Sequence, residues 1–274
     1  MAYSALTIAG SDSGGGAGIQ ADLKAMSALG VYGASVVTAI TAQNTRAVTA
    51  VHSIPTDVIT AQIEAVLSDI EIHAVKIGML AVPEIIRAVA DGLSEYEGPV
   101  VVDPVMIAKS GDALLADDAV ETLRDVLLPR ATVLTPNLPE AARLLETEEA
   151  STPDDMRLQG QKLCALGPQA VLMKGGHAKG ELCHDLLITS NGVAAEFTAP
   201  RKQTRNTHGT GCTLSSSIAS GLARGLPLIE AVGAAHSYLQ GAIAAADALD
   251  IGQGHGPVHH FYQAWTSTGQ GSHE

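Results

Sequence analysis

The chain has 274 residues, 46% of them apolar and 16% charged, which is enough to bury a sizeable core. Its formal net charge of −13 argues against a nucleic-acid or membrane-surface partner, because both need clustered Lys and Arg. Aromatic residues make up only 3%, so the core has to be built from Ala, Val, Leu and Ile, which suits strands buried on both faces.

Short β-branched runs alternate with longer helical patterns along most of the chain. The predicted strands are residues 5–9, 36–39, 75–77, 100–103, 133–135 and 171–174. The predicted helices between them are residues 19–29, 57–68, 83–96, 117–128, 138–145 and 152–166. This alternation predicts an α/β fold with a mainly parallel central sheet and helices on both faces.

The pattern changes after Lys174. Residues 185–189 and 193–199 flank Ser190-Asn191-Gly192, which predicts a hairpin, and two Ala-rich helices follow at 213–224 and 228–249. No linker or repeat divides the chain, so we expect one domain over residues 1–265 and a frayed tail over 266–274.

The chain start and the cysteines predict a cytoplasmic protein. The first residues lack the basic start and long apolar core of a signal peptide. No apolar run approaches the roughly 20 residues of a membrane span. Cys164, Cys183 and Cys212 show no CxxC spacing and cannot all pair, which favours a reducing compartment.

Polar or unusual residues collect where the predicted strands end. They are Gly10-Ser11-Asp12, Gln43-Asn44, Gly78-Met79, Asp103-Pro104, Thr135-Pro136-Asn137 and Lys174-Gly175-Gly176-His177. Ligands of parallel sheets bind beyond the carboxyl ends of the strands, so this clustering predicts a site at one edge of the sheet.

Gly209-Thr210-Gly211-Cys212 precedes a small, apolar helical run. Two glycines allow a tight turn and close backbone approach to a ligand, and the start of a helix offers free N–H groups to an anion such as a phosphoryl group. We expect this helix end to favour the thiolate of Cys212. An anion site that contains a proton acceptor predicts phosphoryl transfer to a hydroxyl.

A glycine-rich turn follows the first strand. Gly10 to Gly18 fits neither GxGxxG nor a P-loop, and it reads either as a flexible turn or as backbone that approaches a small ligand closely. Asp22, one turn into the next helix, either holds a substrate hydroxyl or solvates the helix start.

Three further strand-end groups are candidates for binding phosphate or Mg²⁺. Asn137 and Glu140 read either as ordinary helix capping or as ligands that order Mg²⁺ and its waters, and Asp103 could join them or cap a loop. Lys174 ends an apolar strand, where a lysine needs an anion, so phosphate contact is favoured. Lys76 is a weaker candidate on the same argument.

The remaining histidines and cysteines carry no clear signal. His208 reads as a loop residue, and the histidines at 255, 259 and 260 read as structural or surface residues without the ligand pattern of a zinc site. Cys164 and Cys183 read as small core residues.

Together these residues resemble the ribokinase-like superfamily, and within it the hydroxymethylpyrimidine/phosphomethylpyrimidine kinases of thiamine biosynthesis. The segments that carry the resemblance are Leu6-Thr7-Ile8-Ala9-Gly10-Ser11-Asp12, Ala17-Gly18-Ile19-Gln20-Ala21-Asp22, Thr41-Ala42-Gln43-Asn44-Thr45, Val102-Asp103-Pro104-Val105-Met106, Ala108-Lys109-Ser110-Gly111, Thr135-Pro136-Asn137-Leu138-Pro139-Glu140, Gly209-Thr210-Gly211-Cys212 and Gly254-His255-Gly256-Pro257.

The resemblance implies that ATP, with Mg²⁺, phosphorylates a pyrimidine hydroxymethyl group and then the resulting monophosphate. Cys212 stands where most ribokinase-like kinases carry an Asp base, and the Gly209 and Gly211 amides would stabilise the moving phosphoryl group. The implied substrate positions are Gly10, Asp22, Gln43, Met79 and Val105. The implied nucleotide positions are Asn137, Lys174 and Thr210, with Asp103 and Glu140 toward the metal. A loop with Lys109-Ser110-Gly111 would close over the site, and relatives suggest a homodimer.

Three alternatives stay open on the sequence. A pyridoxal kinase is the nearest, because pyridoxal also presents a hydroxymethyl group on a flat nitrogen heterocycle. A non-catalytic pyrimidine sensor would be favoured by loss of Cys212, the carboxylates or Lys174, all of which are present. A sugar kinase is disfavoured by cysteine at position 212.

Overall fold

The computed structural model describes residues 2–107, 114–177 and 180–265. Its strands in chain order are β1 (Ser4–Asp12), β2 (Tyr32–Gln43), β3 (Val48–Ser53), β4 (Ala74–Ile77), β5 (Val100–Val102), β6 (Val133–Leu134), β7 (Ala170–Lys174), β8 (Leu182–Thr189) and β9 (Gly192–Pro200). Within the described ranges these nine strands form one sheet in the order β3-β2-β1-β4-β5-β6-β7-β8-β9.

The middle of the sheet is parallel and its edges are antiparallel. Parallel pairing runs from β2 through β1, β4, β5 and β6 to β7. At one edge β3 pairs antiparallel with β2, and at the other edge β8 and β9 form the predicted hairpin. The expectation of a mainly parallel sheet is confirmed.

Helices cover both faces of the sheet, as predicted. They are α1 (Gly18–Ala28), α2 (Thr56–Leu67), α3 (Pro83–Gly92), α4 (Asp117–Thr122), α5 (Leu138–Leu145), α6 (Pro153–Cys164), α7 (Thr210–Ala223) and α8 (Leu228–Ala244). The alternation of a strand sends Leu6 and Ile8 of β1 into the core with α2 to α6, and Ala5 into a second core with α1, α7 and α8. No helix in these ranges has the length and apolar character that a membrane crossing requires.

Several predicted boundaries were wrong. The helix predicted over 117–128 ends as α4 at Thr122 and continues as a π-helix (Leu123–Leu127), and the one predicted over 228–249 ends at Ala244. Strand β3 was missed because five of its six residues are exposed, so no apolar alternation marks it. Most important for the site, α7 begins at Thr210 and not at residue 213.

Helix α7 is almost completely buried although it is rich in serine. Its serine hydroxyls donate to carbonyls one turn earlier, as Ser217 does to Thr213 at 2.6 Å and Ser220 to Ser216 at 2.8 Å. Buried hydroxyl groups are tolerated when they find such acceptors. These bonds let α7 stay buried against the sheet with small side chains.

Candidate active site

The first turn of α7 lies against the glycine-rich turn that follows β1. Gly209 caps the helix with a φ of 80°, and a Cβ atom there would collide with the carbonyl oxygen of Gly16. The first intrahelical bond runs from the Thr213 amide to the Gly209 carbonyl at 2.8 Å. The amides of Gly211 and Cys212 therefore precede the helical ladder, where an anion is stabilised by N–H donors and the helix dipole.

Three charged groups meet beside this turn at the ends of β5 and β7. Lys174 Nζ lies 3.0 Å from Asp103 Oδ1 and 3.9 Å from Glu140 Oε2. A Cβ atom at Gly211 would stand 3.3 Å from Asp103 Oδ2 and 3.5 Å from Lys174 Nζ, so the missing side chain lets the helix start approach both. The structure thus brings together Gly211, Asp103, Glu140 and Lys174.

Burial controls the ionisation of this cluster. It raises the pKa of Glu140 to about 7, against the attraction of Lys174 and with the repulsion of Asp103. Burial opposes the charge on Lys174 as well, but the Asp103 and Glu140 carboxylates hold the pKa of its ammonium group above the usual value. A bound cation or phosphate would shift this balance, as expected of a ligand site.

Asn137 and Glu140 form a capping box at the start of α5, which supports the interpretation of these residues as ordinary helix caps. The Asn137 side chain accepts from the Glu140 amide at 2.9 Å, and Glu140 Oε2 accepts from the Asn137 amide at 2.8 Å. The cap fixes the Glu140 carboxylate against Lys174. Capping and ligand binding are therefore compatible roles for Glu140.

The expectation that the helix end favours the Cys212 thiolate is wrong for the ligand-free protein. Burial raises the pKa of the Cys212 thiol to about 11, against the attraction of Lys76, and the Asp22 and Asp103 carboxylates add to the rise. The charge of Lys76 helps little because Asp22 already neutralises it at 2.8 Å. The dipole of the α7 start does not overcome this desolvation.

Asp22 neither solvates the start of α1 nor presents a free oxygen to a substrate hydroxyl. It is fully buried, with Oδ2 accepting from Thr7 Oγ1 at 2.6 Å and from Lys76 Nζ at 2.8 Å. Its other oxygen accepts from Ser216, whose hydroxyl hydrogen is shared with the Cys212 carbonyl at 2.6 Å. Asp22 therefore anchors the first turn of α7, and Lys76 has this carboxylate as its anion.

The other substrate positions implied by the resemblance lie at neighbouring strand ends. A Cβ atom at Gly10 would stand 3.0 Å from Met79 Sδ, so Gly10 leaves room for that side chain. Gln43, at the end of β2, contacts His208 Nε2 at 3.3 Å, and half-buried Val105 follows Asp103. Residues 109–111 of the expected closing loop lie outside the described residues.

A family model described as phosphomethylpyrimidine kinase matches residues 12–259 of this chain. The chain belongs to the phosphomethylpyrimidine kinase family. It is 57% identical to the hydroxymethylpyrimidine/phosphomethylpyrimidine kinase of Rhizobium meliloti over 97% of this chain and 99% of the relative. It is 54% identical to the enzyme of that name from Escherichia coli over 95% and 98%.

Solved structures agree with this membership. A Bacillus subtilis pyridoxal kinase in complex with ADP superimposes with a TM-score of 0.89 at 38% identity, over 97% of this chain and 100% of the other. Phosphomethylpyrimidine kinase from Clostridium difficile gives a TM-score of 0.77 at 48% identity, over 88% and 99%. The expectations of a ribokinase-like fold and of a kinase of thiamine biosynthesis are confirmed for this family member.

Two residues beside the glycine-rich turn were given no individual role by the sequence, although Asp12 is among the strand-end residues. Asp12 organises the glycine-rich turn by accepting from the Gly14, Gly16 and Ala17 amides at 2.8, 3.1 and 2.9 Å. His208, which reads as a loop residue in the sequence, is buried and lies 2.8 Å from Asp12. Asp12 and His208 are 196 positions apart, so no local sequence pattern connects them. Only the place of His208 directly before the glycine turn at residues 209–212 could have drawn attention to it.

Two of the C-terminal histidines lie in different surroundings. His260 is buried against Thr213 at 2.9 Å, and burial lowers the pKa of its imidazole to about 4. His255 is exposed. Among the described residues no group of three or more His, Cys, Asp or Glu side chains is arranged to hold a metal ion.

Proposed function

We propose that this chain transfers the γ-phosphoryl group of ATP to 4-amino-5-hydroxymethyl-2-methylpyrimidine, and then a second one to the resulting monophosphate. The observation that carries the proposal is the meeting of Cys212, the α7 amide turn and the Asp103–Lys174–Glu140 cluster at one edge of the sheet. A proton acceptor, an anion site and a cation site are then contiguous.

The nucleotide side is assigned to the groups around β7 and α7. Lys174 would contact the phosphates, with Asn137 and Thr210 beside it, and the Gly209–Gly211 turn would donate its amides to the transferring group. Two carboxylates suit Mg²⁺, which keeps waters and takes its other ligands from phosphates. Asp103 and Glu140 would hold it, and when bound it supplies charge neutralisation at the phosphate oxygens.

Cys212 is assigned as the proton acceptor of the first transfer. The hydroxymethyl oxygen forms a bond to the γ-phosphorus, the bond from that phosphorus to the bridging oxygen breaks, and ADP leaves with that oxygen. The hydroxyl proton passes to Cys212 Sγ late in the transfer, because the transition state is loose. A pKa of about 11 makes the thiolate a minor but strong base in the free protein.

The pyrimidine is assigned to the cleft between β1, β2 and β4. Gln43 offers both an acceptor and donors to an aminopyrimidine edge, Met79 would pack on the ring, and Gly10 and Val105 would line it. Asp22 is assigned a positioning role because its oxygens are taken by protein groups.

Pyridoxal phosphorylation is the second candidate function. It is favoured by the fold likeness to pyridoxal kinases, including one from Staphylococcus aureus in complex with pyridoxal, with a TM-score of 0.88 at 34% identity over 96% of this chain and 95% of the other. A non-catalytic sensor lacks comparable support, because Cys212, Lys174 and both carboxylates stand together. A homodimer in the cytoplasm stays a prediction.

The test is ATP-dependent product formation from 4-amino-5-hydroxymethyl-2-methylpyrimidine with Mg²⁺, resolved by mass. Monophosphate followed by diphosphate is the expected result. Monophosphate alone would restrict the activity to the first step. No product from folded, ATP-binding protein would contradict the proposal. The ratio of kcat/KM for this pyrimidine to that for pyridoxal decides between the two candidates, and we expect it to exceed one.

A further inference from the structure

His208 is held rigidly at the pyrimidine-side end of the cleft. Its amide donates to the Gly256 carbonyl at 3.0 Å, and its carbonyl accepts from the Val258 amide at 3.3 Å. A Cβ atom at Gly16 would collide with its ring, so the turn packs directly on the imidazole. Both the backbone and the ring of His208 are therefore held by neighbouring groups.

Asp12 determines which His208 nitrogen carries hydrogen. The Asp12 carboxylate accepts three backbone amides and lies 2.8 Å from His208 Nε2. Burial opposes its charge, but His208 and these amides hold the pKa of Asp12 below the usual value. An ionised carboxylate only accepts hydrogen bonds, so His208 Nε2 must be a donor.

This donor constrains the side-chain amide of Gln43. The amide nitrogen faces His208 Nε2 at 3.3 Å, which sets two donors against each other, while its oxygen faces Thr41 Oγ1 at 3.0 Å. Thr41 Oγ1 also lies 3.0 Å from the Ser11 carbonyl, so in this orientation its single hydrogen is shared between two acceptors. Turning the amide by 180° removes the donor–donor contact. The Gln43 oxygen then accepts the longer branch of the His208 Nε2–H bond, whose shorter branch goes to Asp12, the Gln43 nitrogen donates to Thr41, and Thr41 donates to Ser11.

We propose that His208 is a positioning and specificity-determining residue that fixes the Gln43 amide in this one orientation. One N–H and one oxygen lone pair of Gln43 then stay available to a ligand, and the donor and the acceptor keep fixed positions. An aminopyrimidine edge presents an amino donor and a ring-nitrogen acceptor, which matches that pair. Pyridoxal carries an aldehyde oxygen and no amino group next to its hydroxymethyl group. The inference rests on the proposed function, because it takes Gln43 as a substrate contact.

The test is a double-mutant cycle on dissociation constants, measured by titration calorimetry for the pyrimidine and, separately, for ATP. His208→Leu removes the donor, and we expect it to weaken pyrimidine binding by ~10-fold, the effect of about one hydrogen bond. ATP binding should stay within twofold. In a Gln43→Ala background, His208→Leu should have no further effect. His208→Gln, which keeps a donor, should restore much of the affinity, and His255→Leu at an exposed position is the matched control.

Equal weakening of ATP and pyrimidine binding, or additive effects in the cycle, would overturn the inference and leave His208 a structural residue. If His208→Leu does not fold, ¹⁵N NMR of histidine-labelled wild-type protein still decides, because an Nε2 of His208 without hydrogen contradicts the argument. Wild-type protein that binds ATP and no pyrimidine would overturn the proposed function, and this role with it. Pyrimidine turnover without coupling between His208 and Gln43 would overturn the inference alone.

Discussion

Two lysine–aspartate pairs stand at the same edge of the sheet and differ in what surrounds them. In the closed pair, Lys76 and Asp22 have side chains that are 1% and 0% exposed, and Thr7 and Ser216 occupy the remaining acceptor sites of Asp22. In the open pair, the Lys174 side chain is 14% exposed and has a second carboxylate, Glu140, at 3.9 Å.

The difference shows how far one physical rule reaches. A lysine at the end of a buried strand needs an anion, and both lysines obey that rule. For Lys76 the protein supplies the anion completely, so the pair stabilises the fold. Lys174 lies between two carboxylates at the surface of the cleft, where a phosphate and a cation can compete for all three groups. Cys212 lies in the electrostatic field of both pairs, through Lys76, Asp22 and Asp103.

The largest effect is expected from Cys212→Ala, which removes the thiol that lies in the electrostatic field of both pairs. The first phosphoryl transfer should slow by ~10²–10⁴-fold, because its acceptor hydroxyl must lose a proton. The second transfer should slow much less, because a phosphate monoester with a second pKa near ~6 is already largely ionised at neutral pH. Rapid-quench kinetics with each acceptor measures both rates. ATP affinity should be unchanged.

Cys164→Ala, a second half-buried cysteine away from the cleft, is the matched control and should keep wild-type rates. Equal slowing of both transfers by Cys212→Ala would remove the proton-acceptor role and leave Cys212 as a packing residue. A first transfer that proceeds at the wild-type rate would remove Cys212 from catalysis altogether.

Breaking the closed pair should reduce stability. Asp22→Asn leaves the fully buried Lys76 without a counter-charge, and we expect the free energy of unfolding to fall by ~3–5 kcal/mol. Urea denaturation measures the change. Asp154→Asn, in the exposed pair with Arg157, is the control and should change it by less than ~1 kcal/mol. Similar small losses in both variants would show that the closed pair is not structural.

The pH dependence of the first transfer is expected to be the next largest effect. Its rate should increase by ~10-fold for each pH unit below the pKa of about 11, because the thiolate fraction of Cys212 grows by that factor. Cys212→Asp should flatten this profile above neutral pH, where a carboxylate is already ionised. The measurement is kcat/KM for the pyrimidine from pH 6 to 10 with the ATP concentration held saturating. A wild-type profile that is flat over this range would contradict the thiol as proton acceptor.

The smallest effect is expected from Glu140→Gln in the open pair. The folded protein retains a proton on Glu140 that the unfolded chain releases, because burial raises its pKa from 4.5 to about 7. Wild-type stability therefore falls as the pH rises through that interval, and a neutral glutamine should not show this loss. Without ATP and Mg²⁺, the melting temperature of Glu140→Gln relative to wild type should rise from pH 5 to pH 8. A constant difference would contradict the raised pKa.

The elements that the sequence predicted well are those whose signal is local. The buried run at 171–174 and the capping signal at Asn137 each span only a few consecutive residues. The structure contains the strand and the helix cap that they predict. The contacts that define the site are not local. Asp22 meets Ser216 across 194 positions and Asp12 meets His208 across 196, so no spacing in the sequence indicates these contacts.

The ionisation of Cys212 depends on the same long-range packing. The turn at residues 209–212 predicts a helix start and a favoured thiolate, and the helix start is there. The pKa follows instead from burial and from carboxylates on α1 and after β5, which no pattern around Cys212 contains. Local sequence therefore predicted the position of the group but not its proton affinity.

The most direct test of the contrast between the pairs is to measure unfolding free energy and first-transfer rate together for Lys76→Met and Lys174→Met. The account predicts that Lys174→Met loses ~10²-fold or more in rate, as for a lost phosphate contact, with less than half the stability loss of Lys76→Met. Lys76→Met should lose ~3 kcal/mol or more of stability. Wild-type transfer by Lys174→Met, or equal stability losses in the two variants, would contradict it.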